Sequence, residues 1–225
     1  MLLFAMSEES VGKRLVERVG QCVLTCPTTA CYNGLDADKT VTVGGLLRYF
    51  GDGYQIAKQL NGRRLWRVPV MDGEFLVDER FGVQPAVGGG NLVLLGTDSA
   101  TTLLAAQTAV AAMRQVPGVI LPFPDGVVRS GSKPGSRYKG LLASTNDAFC
   151  PTLRGHAETT SVLPEVGCVL EIVIDGLELA AVETAMRAGM QAASRQGLVQ
   201  IAAGNYGGTL GQYKIPLQGL LAGTA

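Results

Sequence analysis

The sequence predicts an α+β fold, because a strand–helix–strand pattern occurs twice in the last two-thirds of the chain. Each copy begins with an apolar strand, continues into a helix whose apolar residues recur every three or four positions, and ends with a second strand. The copies span residues 91–121 and 169–202. Two such units of similar length predict a split βαβ, or ferredoxin-like, domain. Its helices cover one face of the sheet, so we expect the other lobe or a second subunit to cover the opposite face.

The helices of the two copies have recognisable signals. In the first copy, the strand at 91–96 is followed by Asp98 and Ser99, either of which can cap the helix that continues to Met113. In the second copy, the helix has one apolar face. That face consists of Val182, Ala185, Met186, Gly189, Met190 and Ala193.

The N-terminal part of the chain contains one strand–helix unit and a few further strands. Ser7 can cap a helix whose apolar face continues as far as Cys26. Strands are predicted at 2–6, 46–50 and 65–70, with a turn at 51–54. We therefore expect residues 1–71 to form an incomplete N-terminal ferredoxin-like lobe and residues 72–225 to form a complete C-terminal one.

The composition excludes several classes of protein. Nineteen basic and nineteen acidic residues cancel, so the net charge gives no indication of binding to nucleic acid or to an anionic membrane. No apolar run in the sequence approaches the roughly 18 residues of a membrane span. The five cysteines, without a recognisable export signal, are expected to be reduced in a cytoplasmic protein.

Cys22, Cys26 and Cys31 are the strongest candidates for metal ligands, and we expect no metal at them. Their spacing lacks the close cysteine pairs of a zinc site, and the only histidine in the sequence is His156. Cys22 and Cys26 share the apolar face of the predicted helix, so packing in the core explains them.

Glu171 is the one charged residue inside the apolar run at 168–174. A continuous apolar run predicts a buried strand, and a buried carboxylate either pairs with a cation or raises its pKa and keeps its proton. No Lys or Arg lies within this strand, which favours a neutral acid that can donate a hydrogen bond to a developing oxyanion. The alternative is a strand-edge glutamate that faces solvent or pairs with a distant arginine.

Polar and glycine-rich segments at the ends of the predicted strands, taken together with the Glu171 strand, carry a resemblance to a known family. These segments are VGQCVLTCPT at 19–28, FGDGYQ at 50–55, LNGRRLWRVPV at 60–70, ASTNDAFCPT at 143–152, EIVIDGL at 171–177, AGNYGG at 203–208 and LGQY at 210–213. With them, the sequence closely resembles the formylmethanofuran:tetrahydromethanopterin formyltransferases, over nearly the whole chain.

The resemblance implies reversible transfer of a formyl group between the amine of methanofuran and N5 of tetrahydromethanopterin. These two molecules are coenzyme substrates, and no prosthetic group or metal is implied. Glu171 corresponds to the family's glutamate, whose protonated carboxyl stabilises the tetrahedral intermediate. The matching segments also supply the expected substrate-binding residues, which are Gln21, Cys22, Asp52, Tyr54, Ser144, Thr145, Asn146, Asp147, Asn205, Tyr206, Gly207 and Gln212.

The resemblance has implications for partners as well. It implies a homo-oligomer, either a dimer or a tetramer, with methanofuran in a cleft at a dimer interface. Other subunits of a formyltransferase/hydrolase complex are further expected partners. We also expect the isolated chain to self-associate through an apolar sheet face. Some of four basic residues are expected to meet the charged tails of the substrates as mobile rim charges, and the four are Arg129, Lys133, Arg137 and Lys139.

The sequence departs from the family at its start, because family members begin with a further strand–helix–strand unit that this chain lacks. We therefore expect a truncated chain whose activity is in question. The alternative function is a non-catalytic ferredoxin-like subunit that assembles with others. The even balance of charges resembles bacterial methylotroph members of the family more than strongly acidic, salt-adapted ones.

Overall fold

Helices and strands are mixed along the described chain in the computed structural model, which describes residues 1–204 and 211–222. The mixed helix-and-sheet class predicted from the sequence is therefore confirmed. The chain divides into two compact units, Met1–Pro85 and Ala86–Ala225. Each unit has its own hydrophobic core.

The N-terminal unit begins with a helix that is capped as predicted. Ser7 Oγ accepts a hydrogen bond from the Ser10 N–H at 3.2 Å, and a π-helical turn at Val19–Val23 extends the helix. The helices of this unit are α1 (Glu8–Arg18) and α2 (Gly44–Leu47), and its strands are β1 (Lys39–Thr42), β2 (Ile56–Leu60), β3 (Arg63–Val70), β4 (Gly73–Asp78) and β5 (Arg80–Val83).

The strands of this unit form two antiparallel sheets. β2, β3 and β4 are consecutive neighbours in one sheet, and β1 pairs with β5 in the other. β2 and β3 meet at Asn61 and Gly62, whose φ angles of 51° and 78° suit the Asn-Gly turn of a two-residue hairpin. Val68 and Phe75 pack with Val19 in the core of the unit.

The strand predicted at residues 46–50 is wrong, because these residues are helical in α2 and in the 3₁₀ turn that follows it. The N–H groups of Leu46 and Leu47 donate to the Val43 carbonyl at 3.0 and 2.9 Å. These local hydrogen bonds take the place of bonds to a neighbouring strand. The strand predicted at 65–70 is confirmed, since it lies within β3.

The strand predicted at residues 2–6 is also wrong. Residues 1–5 have no regular secondary structure, because none of the described strands pairs with them. Leu3 instead packs against the core of the unit as a single side chain. This packing of Leu3, rather than a strand, explains an apolar side chain in this segment.

The C-terminal unit contains the two predicted strand–helix–strand copies. None of the helices in residues 1–204 and 211–222 is long and apolar enough to cross a membrane. The strands of this unit are β6 (Val87–Gly96), β7 (Val119–Ile120), β8 (Ser132–Pro134), β9 (Ala143–Thr145), β10 (Cys168–Gly176) and β11 (Gln200–Ala202), and its helices are α3 (Ser99–Met113), α4 (Leu179–Ala193) and α5 (Leu217–Ala222).

A four-stranded antiparallel sheet organises this unit, in the order β11-β6-β10-β7. Side chains alternate between the two faces of a strand, and Leu92 and Leu94 of β6 share one face with Ile172 and Ile174 of β10. Helices α3 and α4 pack on this face and form the largest core cluster with it.

Both helices follow their predicted signals. Asp98 caps α3, since its Oδ1 accepts a hydrogen bond from the Thr101 N–H at 2.9 Å. The predicted apolar face of α4 is confirmed, because all six of its residues are buried. Gly189 is in that face because a side chain there would collide with Met113 of α3.

The opposite face of the sheet is covered in part by the chain itself. Val93 and Leu95 of β6 point away from the helices and pack against Val162 and Val166, which precede β10. We expected the other lobe or a second subunit to cover this face, and did not predict that the segment before β10 covers part of it. The segment has little regular structure, so its pattern does not indicate the contact.

Candidate active site

Glu171 lies in the middle of β10, a strand with neighbours on both sides. Val93 of β6 lies opposite Glu171 on one side. On the other side, the Glu171 N–H donates to the Val128 carbonyl at 2.8 Å, and the Val128 N–H donates to the Glu171 carbonyl at 2.7 Å. The strand-edge alternative is therefore wrong for Glu171.

The Glu171 side chain points to the face of the sheet that the helices leave open. Ile172 and Ile174 point towards α3 and α4, so the alternation along β10 directs Glu171 the other way. Burial raises the pKa of the Glu171 carboxyl above its ordinary value, and a hydrogen bond from the Asn91 amide lowers it in part. Desolvation is the larger of the two effects.

A cavity of about 50 Å³ lies beside Glu171. A volume of this size exceeds the roughly 10–15 Å³ that a single water molecule needs, so the cavity has room for a small reacting group. Besides Glu171, the cavity is lined by Val93, Val128, Arg129, Gly131, Thr145, Asn146, Phe149, Cys150, Val169 and Leu170.

Two of the predicted substrate-binding residues, Thr145 and Asn146, line this cavity together with Glu171. They lie at the end of β9 and directly after it. The Asn146 N–H donates to the Gly131 carbonyl at 2.9 Å, which fixes the backbone of this segment beside the carboxyl. Ser144 lies one residue earlier, with its Cα opposite that of Lys133 in the pairing of β8 with β9.

Asp147 forms an ion pair with Lys133. Lys133 Nζ lies 2.5 Å from Asp147 Oδ1, which also accepts a hydrogen bond from the Ala148 N–H at 3.1 Å. The hydrogen bond and charge of Lys133 hold the pKa of the Asp147 carboxyl below its ordinary value. Lys133 is thus engaged within the chain and not a free rim charge, whereas Arg129 lines the cavity itself.

Four predicted substrate-binding residues belong to the N-terminal unit. Gln21 and Cys22 are exposed in the π-helical turn, and Asp52 and Tyr54 are exposed in the turn after α2. The prediction that Cys22 and Cys26 pack in the core is wrong, because both are exposed. The π-helical turn at Val19–Val23 rotates the residues within it and after it away from the buried face of α1.

The remaining predicted residues lie near the C-terminus. Gln212 is exposed. Asn205, Tyr206 and Gly207 lie outside the described residues. In residues 1–204 and 211–222, no group of three or more His, Cys, Asp or Glu side chains is arranged to hold a metal ion.

Asn91 and Gly131 lie beside Glu171, and neither was predicted to be a site residue. Asn91 is a polar residue in the apolar strand β6, the same signal that identified Glu171 in β10. Gly131 lies so close to the carboxyl that a Cβ atom there would be 3.3 Å from Glu171 Oε2. A lone glycine in a predicted loop gives no sign of such a contact.

Two family models match the chain. The model described as "Formylmethanofuran-tetrahydromethanopterin formyltransferase" matches residues 1–70, and that described as "FTR, proximal lobe" matches residues 73–220. The Methylobacillus flagellatus protein named formylmethanofuran–tetrahydromethanopterin formyltransferase is 52% identical over an alignment of 230 positions, which covers 99% of this chain and 76% of that protein. The Methylococcus capsulatus protein of the same name is also 52% identical, over 98% of this chain and 75% of its own length.

Solved structures agree with these matches. A crystal structure of the formyltransferase/hydrolase complex from Methylorubrum extorquens with methylofuran contains a chain that is 52% identical, with a TM-score of 0.90, over 96% of this chain and 73% of that one. The formyltransferase from Methanosarcina barkeri is 43% identical, also with a TM-score of 0.90, over 96% of this chain and 74% of that one. The resemblance inferred from the sequence is confirmed: this chain belongs to the formylmethanofuran–tetrahydromethanopterin formyltransferase family.

Proposed function

We propose that this chain is a formyltransferase that transfers a formyl group reversibly between formylmethanofuran and N5 of tetrahydromethanopterin. Its relatives from methylotrophs and methanogens are named for this activity. The observation within the chain that carries the proposal is the Glu171 carboxyl. It belongs to an inner strand of the sheet, its pKa is raised, and it lies beside a small cavity.

The chemistry of the transfer assigns Glu171 a role as a hydrogen-bond donor. When N5 of the pterin attacks the formyl carbon, the planar amide becomes tetrahedral and negative charge collects on its oxygen. A protonated carboxyl can donate to that oxygen, whereas an ionised one would repel it. Burial keeps the proton on Glu171, because desolvation disfavours the charged form. Val93, Val169 and Phe149 give the cavity beside the carboxyl apolar walls.

The segment at Thr145 and Asn146 is the best-supported part of the substrate site, since it lines the same cavity as Glu171. We assign the other substrate-binding residues from the matching family segments. The two coenzymes act as substrates, and the mechanism above requires no prosthetic group. The family model named for this reaction matches residues 1–70, so the assignment includes Gln21, Cys22, Asp52 and Tyr54.

We further infer that the C-terminal unit is a ferredoxin-like lobe. Along the chain, the four strands of its main sheet are β6, β7, β10 and β11. Across the sheet they stand in the order β11-β6-β10-β7, which is fourth, first, third, second. Two helices on one face complete the split βαβ arrangement. The match to one family model ends at residue 70 and the match to the other begins at residue 73, next to the proposed domain boundary between residues 71 and 72. The two compact units divide later in the chain, after Pro85. The proposal that residues 1–71 are an incomplete lobe of the same kind rests on the sequence.

We propose that the protein acts in the cytoplasm as a homo-oligomer and that it also assembles with the other subunits of a formyltransferase/hydrolase complex. The related chain from Methylorubrum extorquens is found in such a complex, which supports the second part of the proposal. The cysteines of the described residues are free, as a reducing compartment requires. A non-catalytic assembly subunit is not favoured, because relatives with about half their residues identical are named as transferases.

A coupled assay of the purified chain tests the proposal. Formylmethanofuran and tetrahydromethanopterin are mixed with the chain, and formation of N5-formyltetrahydromethanopterin is followed, together with the reverse reaction. We expect transfer in both directions, and loss of roughly 10²–10³ in kcat in Glu171→Ala, the cost of removing a donor to an oxyanion. Glu158→Ala is the matched control, because Glu158 is an exposed glutamate of the same unit. A folded chain with no transfer in either direction would refute the proposed function.

A further inference from the structure

Asn91 lies on the same face of the sheet as Glu171. In the antiparallel pairing of β6 with β10, Val93 is opposite Glu171 and Asn91 is opposite Val173. Asn91 and Glu171 are therefore diagonal neighbours, and a long side chain such as that of glutamate can reach across this separation. The Asn91 amide is thus placed to act as a donor towards the Glu171 carboxyl, and this donor lowers the pKa of that carboxyl.

The same amide is fixed by a second partner. Asn91 Oδ1 accepts a hydrogen bond from the Gly204 N–H at 2.9 Å, and Asn91 Nδ2 donates to the Gly204 carbonyl at 3.4 Å. Gly204 follows β11 in the chain. An asparagine amide has two N–H donors and one oxygen acceptor. Gly204 engages the oxygen and one N–H, which leaves the other N–H for the Glu171 carboxyl.

We propose that Asn91 is a positioning residue that holds the Glu171 carboxyl in one orientation towards the cavity, while the Gly204 backbone holds Asn91. This inference rests on the proposed role of Glu171. Without the Asn91 amide to hold it, the carboxyl can rotate more freely about its terminal bonds. A donor to an oxyanion is effective only when its direction is fixed.

Asn91 also limits how firmly Glu171 keeps its proton. Burial raises the pKa of Glu171, and the Asn91 donor lowers it because the donor favours the ionised form. Other titratable groups on the described elements around the carboxyl are Arg129, after Val128, and Cys150, after β9. The nearby charge of Asp147 is balanced by Lys133. Removal of Asn91 is therefore expected to move the Glu171 titration to higher pH.

Infrared difference spectroscopy measures this titration without any substrate. The carbonyl band of a protonated carboxyl that is present in the wild type and absent in Glu171→Gln belongs to Glu171. Its loss with rising pH gives the midpoint of the titration. The variants are Asn91→Ala, which removes the amide, and Asn91→Leu, which removes it but keeps most of its volume. The Leu variant decides the question if the Ala variant does not fold.

Asn33→Ala is the matched control. The Asn33 amide also holds backbone groups, because its Oδ1 accepts from the N–H groups of Leu35 and Gly82 at 3.3 and 2.9 Å. It belongs to the N-terminal unit. We expect this variant to be less stable than the wild type, with an unchanged Glu171 midpoint. A merely structural asparagine at position 91 would behave in the same way.

The expected result is a midpoint at higher pH in both Asn91 variants, with a matching shift of the alkaline limb of kcat. At neutral pH, kcat should fall roughly tenfold, the cost of about one lost hydrogen bond, with KM little changed. A midpoint that stays in place in a folded Asn91 variant would overturn the inference. If the wild-type Glu171 is already ionised at neutral pH, the proposed role of Glu171 as a donor fails instead, and the two failures are thus distinguished.

Discussion

Lys133 Nζ and Asp147 Oδ1 lie 2.5 Å apart, and this ion pair ties β8 to the residue that follows Asn146. The pair is half-buried, with 37% and 30% of the two side chains exposed. Thr145, the last residue of β9, and Asn146 directly precede Asp147 and line the cavity beside Glu171. The pair therefore holds in place Thr145 and Asn146, which form the polar wall of the proposed site.

Removal of either partner should loosen that wall. We expect Lys133→Ala and Asp147→Ala each to raise the KM for substrate by a few-fold, the scale of a partly exposed ion pair, with kcat little changed. The double variant should cost no more than either single one, because both remove the same interaction. Steady-state kinetics of the three variants measure this. Additive losses would show that the residues act separately, and Arg195→Ala serves as the control, because Arg195 is an exposed basic residue of the same unit.

Gly131 should be intolerant of a side chain. A Cβ atom in Gly131→Ala would lie 3.3 Å from Glu171 Oε2, so the carboxyl has to shift by a few tenths of an ångström. We expect kcat to fall by about tenfold, less than the roughly hundredfold that a 1 Å misplacement can cost. Thermal unfolding should be nearly unchanged. Gly34→Ala is the control, since nothing lies within 4 Å of its added atom, and an unaltered kcat in Gly131→Ala would contradict the contact.

The charge of Asp98 should stabilise the protein in a way that depends on pH. Hydrogen bonds from Thr101 and Thr97 lower the pKa of Asp98 from 3.8. A lowered pKa in the folded state means that the stabilisation is present above about pH 3.8 and is lost as the pH falls through the folded value. We therefore expect Asp98→Asn, which keeps a capping oxygen, to have a lower Tm than wild type at pH 7. The difference should vanish in strong acid, and a difference that persists there would contradict this account.

Glu171 should have the opposite dependence. Its pKa is raised in the folded state, so its contribution to stability is full below the unfolded value of 4.5 and is lost as the pH rises through the folded value. Glu171→Gln cannot ionise, and we expect its free energy of unfolding, relative to wild type, to increase with pH over that range. Urea unfolding at several pH values measures this. A constant difference between the two proteins would show that the carboxyl is not desolvated.

The C-terminal unit could be predicted from the sequence because its signals are local and repeated. The apolar face of α4 and the Asp98 cap of α3 follow from helical periodicity and capping chemistry, and the structure agrees with both. Glu171 could be found because a charge is conspicuous in an apolar strand. Its position in the interior of the sheet followed from the same pattern.

The errors have a common physical origin, which is that side-chain pattern does not reveal which partner a segment finds. Residues 46–50 have a strand-like composition, yet Leu46 and Phe50 are exposed and the backbone bonds within its own turn. Cys22 fits a helical stripe, but a π-helical turn changes the rotation per residue just before it. Val162 and Val166 cover the sheet from a segment without periodicity, so their contact with β6 was not predictable.

The pH dependence of kcat, measured for wild type and Glu171→Gln with the same substrates, tests the central claim most directly. Glutamine keeps an N–H donor at this position but cannot lose a proton. If a protonated Glu171 stabilises the oxyanion, kcat of the wild type falls at alkaline pH as the carboxyl ionises, and Glu171→Gln keeps part of the neutral rate without that alkaline limb. An identical alkaline limb in both proteins would show that another group titrates, and would contradict the role assigned to Glu171.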